Sequence, residues 1–409
     1  MEVMLFMVSQ DTFSRIRSLA SRGTRDLRLL VFTVFCYSFG FMGVYMATAT
    51  NFAVQIIHIK PMQQGYLEAV RETPGFLVVL VAAVTMQFAE PILACMALSL
   101  LALGLAAYYG VHGFHALMFY SFIWSIGIHL WMTIQPSMTM SLAEKNSKGR
   151  RLGQLSAVGS LGTVLGMVLV REAGGYIGMR RLFLIAAVFI VSGAISAAFI
   201  SKDIGHKEKP RLVWKRRYSL YYTLTFLEGC RKQVFMTFAI FALVFVYHVK
   251  LEYVATLMII NNVVNFILAP KVGRLIDRIG ERKVLAFCYA ALIPVFIGYA
   301  TIKNPHVLFV FYCLDSLFFL GSIGLNTYLH KIADPVDVMP SLAMGVSMNH
   351  VAAVAVPLIG GYLWTKYSYP TTFLGGAVVV AISVIMALRI KTGVNPALGM
   401  RKETATVEV

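Results

Sequence analysis

Read for polarity alone, the chain is a succession of long apolar runs separated by short polar joints. A helix that crosses a bilayer needs about 20 mostly apolar residues. Twelve stretches qualify: 28–50, 63–86, 91–110, 114–138, 152–172, 180–201, 218–248, 252–272, 283–303, 306–330, 339–365 and 370–390. In lipid the backbone polar groups must be satisfied within each span, so the pattern predicts an all-α membrane protein. Residues 1–27 hold Arg15, Arg17, Arg22 and Arg25 but no long apolar core and no small-residue cleavage site. They read as a cytoplasmic lead-in and not as a cleaved signal peptide.

The most polar interruption, SKDIGHKEKPRLVWKRR from Ser201 to Arg217, separates six spans from six. The expected organisation is therefore a lead-in (1–27), a first six-helix bundle (28–201), a basic cytoplasmic linker (202–217), a second six-helix bundle (218–392) and a cytoplasmic tail (393–409). A faint internal duplication agrees with repeated halves. LGQLSAVGSLGTVLG from Leu152 and MGVSMNHVAAVAVPLIGG from Met344 each open a span after a polar loop.

Composition sharpens the class. Only 13% of the 409 residues are charged and 58% are hydrophobic, whereas a soluble chain is about 25% charged. That excludes disorder, a disulfide scaffold and an ordinary cytosolic enzyme. The five cysteines stand singly in apolar runs, with no metal or redox spacing. The net charge of +17 would suggest nucleic acid in a soluble protein. Its distribution says otherwise: with the N-terminus inside, 26 of the 36 Lys and Arg fall on inner segments, 7 on outer loops and 3 within spans. This is the positive-inside bias, and it places both termini in the cytoplasm. The expected location is the cell inner (plasma) membrane, with lipid and not nucleic acid as the surrounding partner.

One loop carries a specific signature. Between spans eight and nine stand Gly273, Leu275, Asp277, Arg278, Gly280, Glu281, Arg282, Lys283 and Leu285. In physical terms Gly273 permits close helix approach, Asp277 caps or pairs at a helix end, and Gly280 supplies the turn. Arg278 and Arg282 stay with anionic headgroups. The loop resembles the cytoplasmic signature of the major facilitator superfamily, and the likeness extends over the chain from about Leu27 to Ile390. It implies twelve transmembrane helices in two pseudo-symmetric six-helix halves and secondary active transport by alternating access. There are departures. Glu281 stands where the pattern has a basic residue. The first-half counterpart, Met86 to Pro91, keeps neither Gly nor Asp. Span five has Gly159, Gly162 and Gly166 without the proline of the antiporter signature.

Charges at bilayer depth are costly, so each marks a functional hypothesis. Span two carries Glu68, Arg71 and Glu72, and span seven carries Glu228, Arg231 and Lys232. Both follow i, i+3, i+4 spacing and share one helical face. At about 1.5 Å per residue, Asn261, Asn262, Asp315 and His350 reach a similar depth. Either these charges neutralise one another within each helix, or they serve a solute. Counted within span seven, two cations face one carboxylate. Arg231 is thus the first candidate for an anionic solute, Lys232 the second and Arg71 the third, with Asn262, Tyr37 and Tyr222 as further lining. Glu72 is the expected proton-coupling carboxylate, with Glu68, Glu228, His350 and Asp315 behind it. His129 reads equally as a hydrogen-bonded interface residue. Pro74-Gly75 loosens span two as a gating bend or a packing kink.

No Walker loop, GxSxG or HExxH motif occurs, so neither an enzyme nor a cofactor is expected. The expectation is a monomeric, proton-coupled secondary transporter for a small anionic or zwitterionic solute, with export favoured over uptake. The alternative is a lipid flippase or a transporter-like sensor.

Overall fold

The computed structural model describes residues 24–76, 88–143, 148–204 and 214–391. The lead-in before Thr24, the inner part of span two (77–87), Lys145, the linker core (205–213) and the tail from 392 lie outside the described residues. The helices are α1 (Thr24–Ile56), α2 (Pro61–Phe76), α3 (Glu90–Gly110), α4 (Phe114–Ser141), α5 (Gly149–Ile177), α6 (Met179–Ala198), α7 (Ser219–Phe245), α8 (Leu251–Ile279), α9 (Glu281–Thr301), α10 (Pro305–Ile332), α11 (Pro335–Lys366) and α12 (Tyr369–Leu388). No strand occurs among the described residues.

Ten of these helices are long and apolar enough to cross a membrane. The other two are α2, described only to Phe76, and α7, whose middle holds Glu228, Arg231 and Lys232. The count of twelve spans rests on the hydropathy pattern for those two. Helix α1 contains two π-helical stretches, Ser38–Tyr45 and Phe52–Ile56, that nothing in the periodicity announces.

The helices form two compact units, Met1–Ala49 with Leu77–Glu208, and Thr50–Phe76 with Lys209–Val409. The segment from Thr50 to Phe76 thus packs with helices that follow the linker. In the first unit, α3 packs against α4 and α6, and α1 against α5. Glycines set the closeness: a Cβ at Gly162 would lie 2.8 Å from the Phe35 carbonyl oxygen, and one at Gly43 would lie 2.7 Å from that of Thr163. Tyr45, Tyr108, Trp124 and Phe183 stack into the core of this unit. There Tyr108 shares a 2.5 Å hydrogen bond with Ser121 and accepts one from the Trp124 indole at 3.0 Å.

In the second unit, α11 packs along both α2 and α7, and α9 along α12. A Cβ on Gly65 of α2 would overlap the Pro357 carbonyl of α11. Gly361 lies against Pro61 and Met62 of α2 in the same seam.

A repeat that hydropathy alone misses lies at the ends of α1 and α7. The sequences His58-Ile59-Lys60 and His248-Val249-Lys250 occupy equivalent turns. Both histidines adopt left-handed backbone, with φ of 59° and 53°. In each turn the next amide donates back six residues, Ile59 to Ala53 (3.1 Å) and Val249 to Leu243 (3.0 Å). Each is a left-handed helix closure one residue wider than the Schellman motif, made twice around a His–β-branched–Lys sequence.

At the α8–α9 turn, Gly280 has φ +86° and ψ 155°, a region open in practice only to glycine. Its amide bonds the Ile276 carbonyl at 2.9 Å. Gly280 therefore makes the turn as expected. Gly273 does not serve close packing: a Cβ there would meet no atom within 4 Å. Asp277, Arg278 and Arg282 are exposed, and Asp277 has no partner among the described residues. Glu281, the departure from the signature, is buried and ion-paired to Lys331 of α10 at 2.7 Å. Its acidic character ties α9 to α10.

A second tie was not foreseen. Asp337, in the first turn of α11, accepts from Lys215 (2.6 Å), Arg217 (2.6 Å) and the Tyr218 hydroxyl (2.9 Å). Arg217 also bonds Asp334, and these bonds to Asp334 and Asp337 hold its guanidinium pKa above the ordinary value. The end of the linker is thereby fastened to the base of α11. Gly280→Ala is expected to lower unfolding stability by about 1–3 kcal/mol through backbone strain. Gly273→Ala should stay neutral or gain up to about 1 kcal/mol. Denaturant unfolding of the detergent-solubilised chain measures both.

Candidate solute and proton site

Helix α7 is 27 residues long, roughly 40 Å at 1.5 Å per residue, and Glu228, Arg231 and Lys232 lie at its middle. It comes close to α11 there because residue 229 is glycine: a Cβ would lie 2.7 Å from the Asn349 Oδ1 atom and 3.2 Å from the Ala352 Cβ atom. This contact sets the charges of α7 beside the stretch of α11 that holds His350.

Arg231 is 1% exposed. Its Nη2 donates to Glu228 Oε1 at 2.5 Å, its Nε to Glu228 Oε2 at 3.3 Å, and its Nη1 to Asp315 Oδ1 at 3.0 Å. The guanidinium fork is thus shared between its own helix and α10. Its carbon also sits 5.1 Å from the Phe319 ring centroid, where a cation is attracted to the π face. The surplus of cations counted within span seven does not survive, because α10 supplies a second carboxylate. With all three groups ionised the triad carries net charge −1, and Arg231 has little left to offer a solute.

Lys232 differs. It is half-buried and has neither an ion pair nor a hydrogen bond among the described residues. Within the cluster it is the cation that makes no direct ion pair among the described residues.

The charges of α2 split between two partners. Arg71 Nη1 pairs with Glu68 Oε1 at 2.5 Å, and Gln64 Nε2 donates to the same oxygen at 3.2 Å. Gln64 also reaches the Thr237 carbonyl of α7 at 3.3 Å. Glu72 instead faces α11, where its Oε2 lies 3.2 Å from His350 Nδ1. Pro74 and Gly75 are buried within α2, whose helix continues to Phe76.

The remaining candidates have partners within their own units. Asn262 donates to its own helix, to the Met258 carbonyl at 3.1 Å. Tyr222 is 1% exposed, bonds Ser341 at 3.2 Å and stacks on Trp214. It stands nine residues before Arg231, roughly 13 Å along the helix, and belongs to the linker-end layer. Tyr37 belongs to the first unit, where it stacks with Phe41 and Trp131. His129, in the same unit, lies against Ser125 of its own helix.

Sequence reasoning missed Gln64, Asn265 and Ser316. Asn265 of α8 donates to Ser316 of α10 at 2.9 Å, one residue beyond Asp315. The available signal was an uncharged polar side chain inside an apolar run, which the search for charges passed over.

The sequence profile of the Major Facilitator Superfamily matches residues 30–335 and 221–406. The chain belongs to the major facilitator superfamily. No curated protein matches it in sequence. Among solved structures, the nucleoside transporter NupG superposes with a TM-score of 0.72 at 14% identity, covering 90% of this chain and 99% of that one. The peptide transporter POT in complex with sulfate gives 0.71 at 13% identity, over 90% and 93% of the two chains. A bacterial homologue of the human lysosomal transporter Spinster, inward-facing and occupied, gives 0.68 at 12% identity, over 89% and 96%. At such identities the likeness is one of fold; the family match and the ten long apolar helices make this chain a multi-pass membrane protein.

The triad makes its own prediction. Arg231→Met leaves Glu228 and Asp315 buried without their cation, which should cost about 3–5 kcal/mol of stability. Adding Glu228→Gln and Asp315→Asn should recover most of that loss. Denaturant unfolding in detergent measures it, and a triple variant no more stable than the single one would discount charge pairing as the cause.

Proposed function

We propose that this superfamily member is a secondary active transporter that couples protons to the movement of a small anionic or zwitterionic solute by alternating access. The observation that carries the reading is the mid-helix cluster in which Arg231 is neutralised by two carboxylates while Lys232 is not. A charge at bilayer depth is tolerated where it meets water or a partner of opposite sign. A solute carboxylate or phosphate meets that requirement for Lys232. Recognition therefore moves from Arg231 to its neighbour, and Arg231 becomes a positioning residue that holds α7 to α10.

The Glu72–His350 pair supports proton coupling. Both an imidazole and a carboxylate can carry a proton. A proton arriving at this pair turns a carboxylate beside a neutral ring into an ion pair between α2 and α11. Binding and release of that proton thus alter the attraction between two packed helices.

The test is flux of a panel of organic anions into proteoliposomes, in both directions, with and without a pH gradient. The wild type should accumulate at least one of them only under the gradient. Glu72→Gln should abolish that accumulation while leaving equilibrium binding within about twofold. Lys232→Gln should weaken binding about tenfold or more, the scale of one charge-assisted contact. Binding without flux would instead indicate a sensor, and an unchanged pH dependence in Glu72→Gln would remove Glu72 from the role.

A further inference from the structure

At one end of the second unit the chain turns from α1 to α2, α7 to α8, α9 to α10 and α11 to α12, and on the positive-inside reading this end faces outward. Each turn carries or adjoins a lysine: Lys60, Lys250, Lys303 and Lys366. Three also carry or adjoin a histidine, His58, His248 and His306. All of these side chains are exposed. In the turns and the first turn of each helix that follows, the single acidic residue is Glu252.

Local structure sets the cations outward. In His58-Ile59-Lys60 and His248-Val249-Lys250 the middle residue is buried and anchors the turn, so its two neighbours face away from the core. Hydrogen bonds then join the turns into one surface. Asn51, near the outer end of α1, donates to the Val249 carbonyl at 3.0 Å. The Tyr247 hydroxyl donates to the Ile302 carbonyl at 3.4 Å and shares a 2.9 Å hydrogen bond with that of Tyr369, at the start of α12.

Two physical rules oppose these lysines. Lys60, Lys250 and Lys303 stand just before helix starts, where the macrodipole is positive and a cation is unfavourable. They also lie on the face that Lys and Arg avoid. Nor are they neutralised locally: none of the three makes an ion pair or a side-chain hydrogen bond among the described residues. Lys366 meets the Tyr362 hydroxyl at 2.9 Å and the rings of Tyr362 and Tyr367, contacts that keep its charge. Cations elsewhere have partners. In the first unit Arg171 pairs with Glu172, and Arg180 donates to the Tyr109 carbonyl at the end of α3. At the inner end of the second unit Lys215 and Arg217 meet Asp337, and Lys331 meets Glu281. A local rule broken at matched positions without a compensating contact points to function.

Neighbouring helices lie about 8–10 Å apart. That is close to the Debye length of ~8 Å at physiological salt and well inside the ~30 Å at 10 mM, so the fields of these lysines add. A cationic surface raises the local concentration of anions and their rate of association, and gives little to a species without net charge. We infer, resting on the transport reading above, that the outer end of the second unit collects net anions for the transport site, and that the solute is therefore an anion and not a zwitterion.

The experiment has two readouts on the full chain in phosphatidylcholine, a lipid without net charge. In nanodiscs, a neutral fluorophore is attached at Thr301→Cys, exposed two residues before Lys303, with the five native cysteines replaced by alanine. Its quenching by iodide is divided by its quenching by uncharged acrylamide. The ratio should be about threefold higher at 10 mM ionic strength than at 0.5 M, the effect of a potential of about one kT. Replacing Lys60, Lys250 and Lys303 together by glutamine should abolish that excess. Arg274→Gln, at the inner end, should leave it. In proteoliposomes oriented outer face out, initial uptake of the panel's organic anions is measured well below saturation. The triple glutamine variant should lose about tenfold at 10 mM ionic strength, the low end for steered association, and nothing at 0.5 M.

An iodide ratio indifferent to the three lysines would overturn the proposal. An equal loss of uptake at both salt concentrations would overturn it too, by marking a structural defect. Salt-sensitive uptake of a zwitterion that depends on the same lysines would overturn the restriction to anions. Iodide enrichment with no anion of the panel crossing would sink the transport reading and the collecting role with it, a result distinct from the absence of enrichment.

Discussion

A guanidinium removed from water has to find its counter-charges among its neighbours, and Arg231 finds them on two helices. The Glu228 carboxylate stands three residues back on α7, and Asp315 arrives from α10. The cost of dehydrating these ions is large enough that partial pairing would be destabilising. The interaction therefore does more than neutralise a charge. It sets the rotation of α7 about its own axis, since the face bearing Glu228 and Arg231 must meet α10. Lys232 follows in the chain and is turned about 100° further round the helix, away from those partners. The rest of the candidate site is a consequence of that placement.

Close approach is the second constraint, and glycine decides where it occurs. Gly229 brings α7 against Asn349 of α11, and Gly65 with Gly361 brings α2 against the same helix. Helix α11 is thus held by α7 at the level of His350 and by α2 about 10 Å further along, at Pro357; two helical turns on from Gly65, Glu72 meets His350. In the first unit the same device works along α1 and α5, at Gly43, Gly162 and Gly166. A glycine without a neighbour, such as Gly273, has no such consequence in this structure.

Much of this was legible in the chain. Helix positions followed from apolar run length, and the loop at Gly280 followed from the spacing of small and charged residues. The pairing of Arg71 with Glu68 was visible as an i, i+3 relation, because both residues belong to one helix. The pairing of Arg231 was only half visible. Its intrahelical partner could be read from spacing, but Asp315 lies 84 positions away in the chain, and nothing in either segment states that α7 and α10 face each other. Glu281 looked like a defect in a familiar signature until Lys331 appeared beside it. The linker-end cluster around Asp337 was missed because its cations looked like ordinary inner-loop charge.

What the sequence determined by itself is the set of properties that depend on neighbours along the chain: helical spans, their polarity and the family signature. Only the tertiary structure decided which charges are already satisfied. It turned Arg231 from a cation in surplus into a paired one, left Lys232 without an ion pair among the described residues, and joined Glu72 to His350. The physical reason is that the cost of a charge in a membrane depends on the partner that faces it, and partners on different helices are chosen by packing.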